Sequence, residues 1–168
     1  MIYLGLGSMP APRPQELIDL ALKVVKDLQV KAVLCAGWSD INLQGLDDEL
    51  RIVKSVAHDV LFPRCRVILH HAGIGTCAAA LRAGVPSVCL PVMLDQFYNA
   101  RHLQRLRVAK DFIPFSQVAS SHDRVVQAVR EALQSEDMKK EAVEIAEKLQ
   151  TDGADECAEK ILETYPVS

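Results

Sequence analysis

The stretch HHAGIGTCAAALRAGVP, residues 70–86, carries the residue types in this chain that are best suited to chemistry. Two histidines end an apolar run, a G-x-G-T turn follows, and an alanine-rich segment closes at a glycine. A metal, a phosphate or only the chain's own core could occupy such a turn. His70 and His71 are adjacent, and adjacent side chains of a strand point to opposite faces. Because no cysteine or carboxylate completes a zinc-like spacing either, we predict no metal site here.

A phosphate fits this pattern better, because a strand enters a glycine-rich turn that delivers the N-terminus of a helix. The unpaired N–H groups and the positive dipole end at that point favour an anion. We expect Gly73 and Gly75 to let the backbone approach closely and to adopt positive φ angles. Thr76 would bind a phosphate oxygen or cap the helix. A tight turn with Thr76 as its cap stays open as the alternative, since the Rossmann spacing G-x-G-x-x-G and the Walker G-K-[ST] are both missing.

Short apolar runs alternate along the chain with amphipathic segments, and these elements must position the turn. The predicted strands are residues 2–6, 31–35, 50–53, 67–70, 87–90 and 110–113, and the predicted helices are residues 12–28, 75–83, 96–106, 122–134, 136–149 and 153–164. Residues 58–65 are irregular or form one helical turn. Gly84 is expected as a left-handed cap before Pro86. This alternation predicts an α/β fold, a Rossmann-like doubly wound parallel sheet of about six strands with helices on both faces, and ligands beyond the carboxyl ends of the strands.

Composition excludes several classes of protein. The 168 residues carry a net charge of −3, so there is no basic excess for nucleic acid or an anionic membrane. No run approaches the roughly 18–20 apolar residues of a membrane span, and no signal peptide is evident. The cysteines are odd in number and never in C-x-x-C spacing, which favours a reducing compartment. We expect a cytoplasmic protein, with peripheral attachment to a membrane through a part outside this chain as the open alternative. The cysteines, most of them expected to be buried, are Cys35, Cys65, Cys77, Cys89 and Cys157.

Residues 70–109 closely resemble the donor-site signature of GT-B glycosyltransferases. The usual sequence of that signature is HHGGAGT, then RAGVP, then P…DQ. The nearest group is that of the sterol and antibiotic glycosyltransferases, with the UDP-sugar transferases of plants and animals more distant. YLGLGSMP, AGWSD, AHDVLFPRC and TDGADECAEKILE resemble further motifs of these enzymes in the same order. The resemblance runs from about residue 1 to residue 165.

The resemblance implies that residues 1–168 form the nucleotide-sugar donor-binding domain, one half of a GT-B fold, and that the N-terminal acceptor domain is absent from this chain. Its implied site comprises Ser8, His71, Gly73, Gly75 and Thr76 for the diphosphate, Trp38 and Val56 for the nucleobase, and Asp95 and Gln96 for the sugar. His70 would be structural. Trp38 could instead belong to the core, and His58 matches a pocket-edge residue but could equally be a surface histidine.

Three positions depart from the family pattern. Ala57 replaces the usual proline and Val60 the usual tryptophan near the base pocket, which leaves uridine and thymidine both open, with a lean to uridine. Ala72 replaces the first glycine of H-H-G-G. We expect that change to be tolerated by extended backbone.

The implied reaction is inverting transfer of a sugar from UDP or dTDP to a hydroxyl of a lipid or small molecule. It needs no metal and no cofactor beyond the nucleotide sugar. The general base is expected in the missing domain, so no catalytic residue is assigned to this chain, which should transfer little by itself. One alternative is a non-catalytic donor-binding subunit of a split GT-B enzyme that docks onto a separate acceptor-binding protein. Another is a nucleotide-sugar epimerase, which needs carboxylates at the anomeric carbon where only Asp95 is evident.

Overall fold

Five short apolar runs form one parallel sheet, which confirms the predicted α/β class. The structure, a computed structural model, describes residues 1–7, 9–37, 49–149 and 153–165. The strands are β1 (Ile2–Gly5), β2 (Ala32–Cys35), β3 (Leu50–Val53), β4 (Ile68–His70) and β5 (Ser87–Cys89). Their order is β3-β2-β1-β4-β5, and all neighbours run parallel. The order reverses between β1 and β4, which opens a crevice at their carboxyl ends.

Helices cover both faces of this sheet, as predicted. They are α1 (Pro14–Leu28), α2 (His58–Leu61), α3 (Ile74–Arg82), α4 (Gln96–Arg105), α5 (His122–Gln134), α6 (Glu136–Lys148) and α7 (Gly153–Thr164). Alternate residues of β1 enter different cores: Ile2 and Leu4 pack with α1 and α5, whereas Tyr3 packs with Phe62 on the opposite face. None of the helices within the described ranges has the length and apolar character that a membrane crossing needs.

Residues 110–113, which we predicted as a sixth strand, are described by the structure and do not form one. Only Ala109 forms an isolated parallel bridge, with Ser87. In that register Phe112 would donate its N–H to the carbonyl of Cys89, but Ile113 does so instead at 3.0 Å. One extra residue therefore interrupts the pairing, and the segment follows β5 without becoming a strand.

The remaining boundaries agree closely with the pattern. Residues 58–65 form the single turn of α2 followed by a 3₁₀ turn, Phe62–Arg64, whereas the 3₁₀ segment Phe115–Ser120 was not predicted. Gly84 has the predicted left-handed φ of 65° after α3. Cys35, Cys65, Cys77 and Cys89 are buried free thiols, as expected, and Cys157 is exposed.

Candidate functional site

The crevice between β1 and β4 holds the imidazole of His71. A Cβ added to Gly7, which has a φ of 66°, would lie 2.7 Å from His71 Cε1. A Cβ on Gly73 would collide with His71 Nε2. Two glycines, one from each loop, thus leave the space that the ring occupies, and any other residue at either position would displace it.

His71 is a neutral imidazole at neutral pH. Only 8% of the residue is exposed, and its Nδ1 is buried without a hydrogen-bond partner among the described residues. Burial lowers the pKa of His71, and the nearby Asp95 carboxylate opposes that effect only in part. A neutral ring carries one N–H, so His71 can donate one hydrogen bond to an anion in the crevice.

His70 has the structural role predicted for it. It is fully buried, and its Nδ1 accepts a hydrogen bond from the Ala72 N–H at 3.1 Å. Because an accepting nitrogen carries no proton, the proton of the neutral ring is on Nε2. Burial lowers the pKa of His70 to about 3, with smaller contributions from His71 and His58. The ring therefore stays uncharged over the physiological range.

The N-terminus of α3 follows directly on His71. Gly73 is its N-cap residue, with φ −64° and ψ 142°, and no side chain caps the helix. Capping by Thr76 is therefore excluded, and the buried Thr76 lines the neighbouring cleft instead. The expected positive φ angles of Gly73 and Gly75 are also wrong, since neither glycine has one. The first N–H groups of α3 have no intrahelical acceptors and point towards this end of the helix.

The positive φ in this turn belongs to Ala72, at 61°. The expectation of extended backbone at Ala72 is therefore wrong. A left-handed conformation costs a non-glycine residue about 1–2 kcal/mol, which explains why glycine suits this position. The Ala72 carbonyl accepts a hydrogen bond from Asn99 Nδ2 at 3.0 Å, and that contact helps to hold the strained residue in place.

A cleft of about 680 Å³ adjoins the crevice at the carboxyl ends of β1 and β2. Its lining residues are Tyr3, Gly7, Cys35, Gly37, Lys54, Ser55, Val56, His58, Gly75 and Thr76. A second cleft of about 480 Å³ shares Val56, His58 and Gly75 with it, so the two form one groove along α3. The volume suits a nucleoside, and the groove begins at the helix N-terminus that would hold its phosphates.

Aromatic side chains form the floor of this groove. A Cβ on Gly5 would collide with the Tyr3 hydroxyl, so glycine lets the Tyr3 ring reach along β1 to the cleft. The hydroxyl lies 3.4 Å from His58 Nε2, and the His58 ring stacks on Phe62 with centroids 4.2 Å apart. Burial raises the pKa of Tyr3 and lowers that of His58, so both groups are neutral. His58 is a pocket-edge residue rather than a plain surface histidine.

Gln96 is less available for a sugar than its type suggests. Its Oε1 accepts hydrogen bonds from the N–H groups of Val92 at 2.8 Å and Met93 at 3.1 Å. Its Nε2 lies 3.4 Å from the sulfur of Met9, a weak acceptor. The Gln96 carbonyl oxygen thus shapes the loop after β5, and only the amide N–H₂ could contact a ligand.

Asn99 is the site residue that sequence reasoning missed. Its Nδ2 donates to Asp95 Oδ2 at 2.9 Å as well as to the Ala72 carbonyl, so one amide joins the loops after β4 and β5. Asp95 directly precedes the predicted helix 96–106 and Asn99 lies four residues later in its first turn; that spacing is the signal that could have identified Asn99, because residues four apart lie on the same side of a helix.

The structure brings most of the predicted site together. His71, Gly73, Gly75, Thr76 and Val56 surround the crevice and its cleft, and Asp95 is close enough to act on the charge of His71. Ser8 and Trp38 lie outside the described residues. Within the described ranges, no group of three or more His, Cys, Asp or Glu side chains is arranged to hold a metal ion.

Comparisons with known proteins find relatives over most of the chain. The family model described as "Erythromycin biosynthesis protein CIII-like, C-terminal domain" matches residues 19–164. Sterol 3-beta-glucosyltransferase UGT80B1 of Arabidopsis thaliana is 30% identical over 153 residues, 90% of this chain and 24% of that protein. Vancomycin aglycone glucosyltransferase of Amycolatopsis orientalis is 32% identical over 162 residues, 96% of this chain and 38% of that protein.

A solved structure extends the likeness to three dimensions. Glycosyltransferase VinC in complex with dTDP superimposes with a TM-score of 0.69 at 25% identity, covering 88% of this chain and 36% of that one. This chain spans 24% of the length of the sterol glucosyltransferase and 38% of that of the vancomycin aglycone glucosyltransferase.

Proposed function

The chain belongs to the EryCIII-like C-terminal domain family of GT-B glycosyltransferases, related to the sterol and antibiotic enzymes, and from this premise we propose that it holds the sugar donor in an inverting transfer. The donor is a UDP- or dTDP-sugar, and the acceptor is a hydroxyl of a lipid or small-molecule aglycone. The relatives named as glucosyltransferases and the dTDP bound to VinC support this proposal.

The proposal depends mainly on the position of the His71 ring. A neutral imidazole lies between two glycines at the point where the N-terminus of α3 meets the crevice. When the bond between the anomeric carbon and the phosphate oxygen breaks, its electron pair goes to the diphosphate. The His71 N–H and the free N–H groups of α3 would stabilise that charge without a metal.

The other site residues have supporting roles in this proposal. Val56 and the groove along α3 would take the nucleobase, and Asp95 would accept hydrogen bonds from sugar hydroxyls. Gln96 would donate one from its N–H₂. Ser8 and Trp38 remain predictions for the diphosphate and the base. The acceptor hydroxyl attacks the anomeric carbon from the side opposite the diphosphate, and its proton goes to a base that we place outside this chain.

Calorimetric titration of the chain with UDP, dTDP, GDP and their glucose forms tests the proposal. We expect UDP or dTDP to bind more tightly than GDP, and His71→Ala to weaken binding of every diphosphate about 10- to 100-fold, the effect of losing a hydrogen bond to a charged group. His102→Ala is the matched control, because His102 is exposed on α4. Unchanged affinity in His71→Ala would show that the phosphate assignment is wrong.

A further inference from the structure

Exposed apolar side chains flank the residues assigned to the diphosphate and the sugar. Ile74, 68% exposed, lies between Gly73 and Gly75. Met93 and Leu94, 49% and 82% exposed, immediately precede Asp95, and Tyr98, 65% exposed, follows Gln96 by two residues. We call Ile74, Met93, Leu94 and Tyr98 the apolar rim. Contiguous exposed apolar surface on a folded domain marks a place where something binds.

Asn99 links the two loops that carry the rim. Its amide donates to the carbonyl of Ala72, two residues before Ile74, and to the carboxylate of Asp95, next to Leu94. The turn that carries Ile74 and the turn that carries Leu94 are therefore held close together. The rim therefore lies beside Asp95, at the sugar end of the proposed site.

Leu94 is both the most exposed and the conformationally strained member of the rim. Its φ is 53°, a left-handed conformation that is unfavourable for leucine. Its side chain is also the most exposed of the large apolar ones, so packing within the described chain does not compensate that strain. Strained backbone at a site edge is characteristic of functional positions.

We propose that the apolar rim binds the hydrophobic part of the acceptor whose hydroxyl attacks the donor sugar. This inference rests on the proposed function, and it places part of the acceptor site on the donor-binding domain. The attacking oxygen must come within about 3–3.5 Å of the anomeric carbon, so an acceptor has to touch whatever borders the sugar. The rim borders the sugar, because Leu94 is next to Asp95, the residue that we assign to the sugar hydroxyls.

The size of the rim favours a small apolar molecule over a second protein. Four side chains expose on the order of a few hundred Å², whereas a stable protein interface needs about 800 Å² from each partner. A surface of that extent can contact one face of a drug-sized ligand, and a polar group beside it can orient that ligand. The exposed Asp95 carboxylate at the edge of the rim is such a group.

Backbone NMR titration of the chain saturated with UDP or dTDP tests this proposal. The probes are testosterone, an apolar alcohol, and myo-inositol, a polar one. We expect testosterone to shift the amide signals of residues 72–75 and 93–99, and myo-inositol to leave them unchanged. The rim variants are Leu94→Asn, chosen because asparagine tolerates a positive φ, and Tyr98→Gln. Each should weaken testosterone binding at least fivefold and change nucleotide affinity less than twofold.

Ile161→Gln is the control, because Ile161 is an apolar residue of α7 that is 55% exposed and outside the rim. Equal testosterone affinity in the control and in both rim variants would overturn the proposal, as would signals shifted elsewhere. Self-association that both rim variants abolish, without testosterone binding, would make the rim an interface between copies and also overturn it. Failure of the proposed function is distinct: nucleotides would not bind, whatever testosterone does.

Discussion

At the scale of single residues, two adjacent buried histidines face different surroundings. His71 borders the crevice with one free N–H, whereas His70 is sealed in the sheet and bonded to the backbone of Ala72. Both have lowered pKa values because burial disfavours the charged ring. Only His70 combines complete burial with a fixed acceptor role, so it should dominate the acid sensitivity of the fold.

We predict that His70→Asn removes much of the loss of stability in weak acid. An unfolded histidine takes up a proton below about pH 6.5, but folded His70 does so only near pH 3, so the free energy of unfolding falls as the pH falls through this window. Between pH 7 and pH 5 the contribution of His70 to this loss is about 2 kcal/mol. Asparagine cannot be protonated there, and its Oδ1 can still accept from the Ala72 N–H.

Urea unfolding at pH 7 and at pH 5 measures this effect. The cost of the substitution itself cancels when each protein is compared with itself at the two pH values. An equal decline in the variant and the wild type would contradict the assignment of acid sensitivity to His70.

At the scale of elements, two glycines at the start of α3, the N-cap residue Gly73 and Gly75 in the first turn, serve different purposes. Gly73 is required by the fold, because a Cβ there would collide with the His71 ring. Gly75 is not required by it: its φ is not positive, and a Cβ there would meet no atom within 4 Å. Gly75 faces the cleft, so its missing side chain leaves room for a ligand rather than for the chain.

We predict that Gly75→Ala raises the free energy of unfolding by about 0.5–1 kcal/mol, since alanine loses less backbone entropy in a helix. The same methyl group enters the cleft and should weaken UDP or dTDP binding at least tenfold. Denaturant unfolding and calorimetry on the same protein measure the two effects. A variant that is more stable and still binds like the wild type would contradict a nucleotide at this position.

Gly153→Ala is a matched control for that experiment. Gly153 begins α7, and a Cβ there also meets no atom within 4 Å. The control should show a comparable gain in stability without any change in nucleotide affinity, because Gly153 does not line either cleft along α3.

At the scale of the whole molecule, the proposed donor site opens at the carboxyl edge of the sheet, and we place the acceptor at the apolar rim beside it. The chain accounts for 24% and 38% of the lengths of the sterol and vancomycin aglycone glucosyltransferases. A domain of this kind should bind the donor in the absence of an acceptor-activating base.

We predict that the chain by itself binds UDP- or dTDP-glucose but transfers glucose to testosterone no faster than its His71→Ala variant does. Mass spectrometry of the glucoside formed from each donor measures the rate. Transfer well above that of the variant would contradict the prediction, because it would require a general base on this chain.

The order of strands and helices follows from the sequence because it depends on local periodicity and on glycine and proline at the boundaries. The glycine-rich turn before a helix likewise indicates an anion site, since helix termini have unpaired N–H groups wherever they occur. The predicted strand at residues 110–113, which the structure does not contain, shows the limit of this reasoning. Its apolar pattern is strand-like, but pairing depends on a register with β5 that a single extra residue breaks.

By itself, the sequence determined the α/β class, the site's place after β4 and the residue types gathered there. Only the tertiary structure decided that Ala72 rather than Gly73 has the positive φ, and that Asn99 joins two loops. It also decided that the side-chain oxygen of Gln96 accepts hydrogen bonds from the backbone. The hydrogen bond from Asn99 to Ala72 joins residues 27 positions apart, and no local pattern contains such a contact. The hydrogen bonds of Gln96 to Val92 and Met93 are local, but the residue type alone does not decide whether its amide bonds to the backbone or to a ligand.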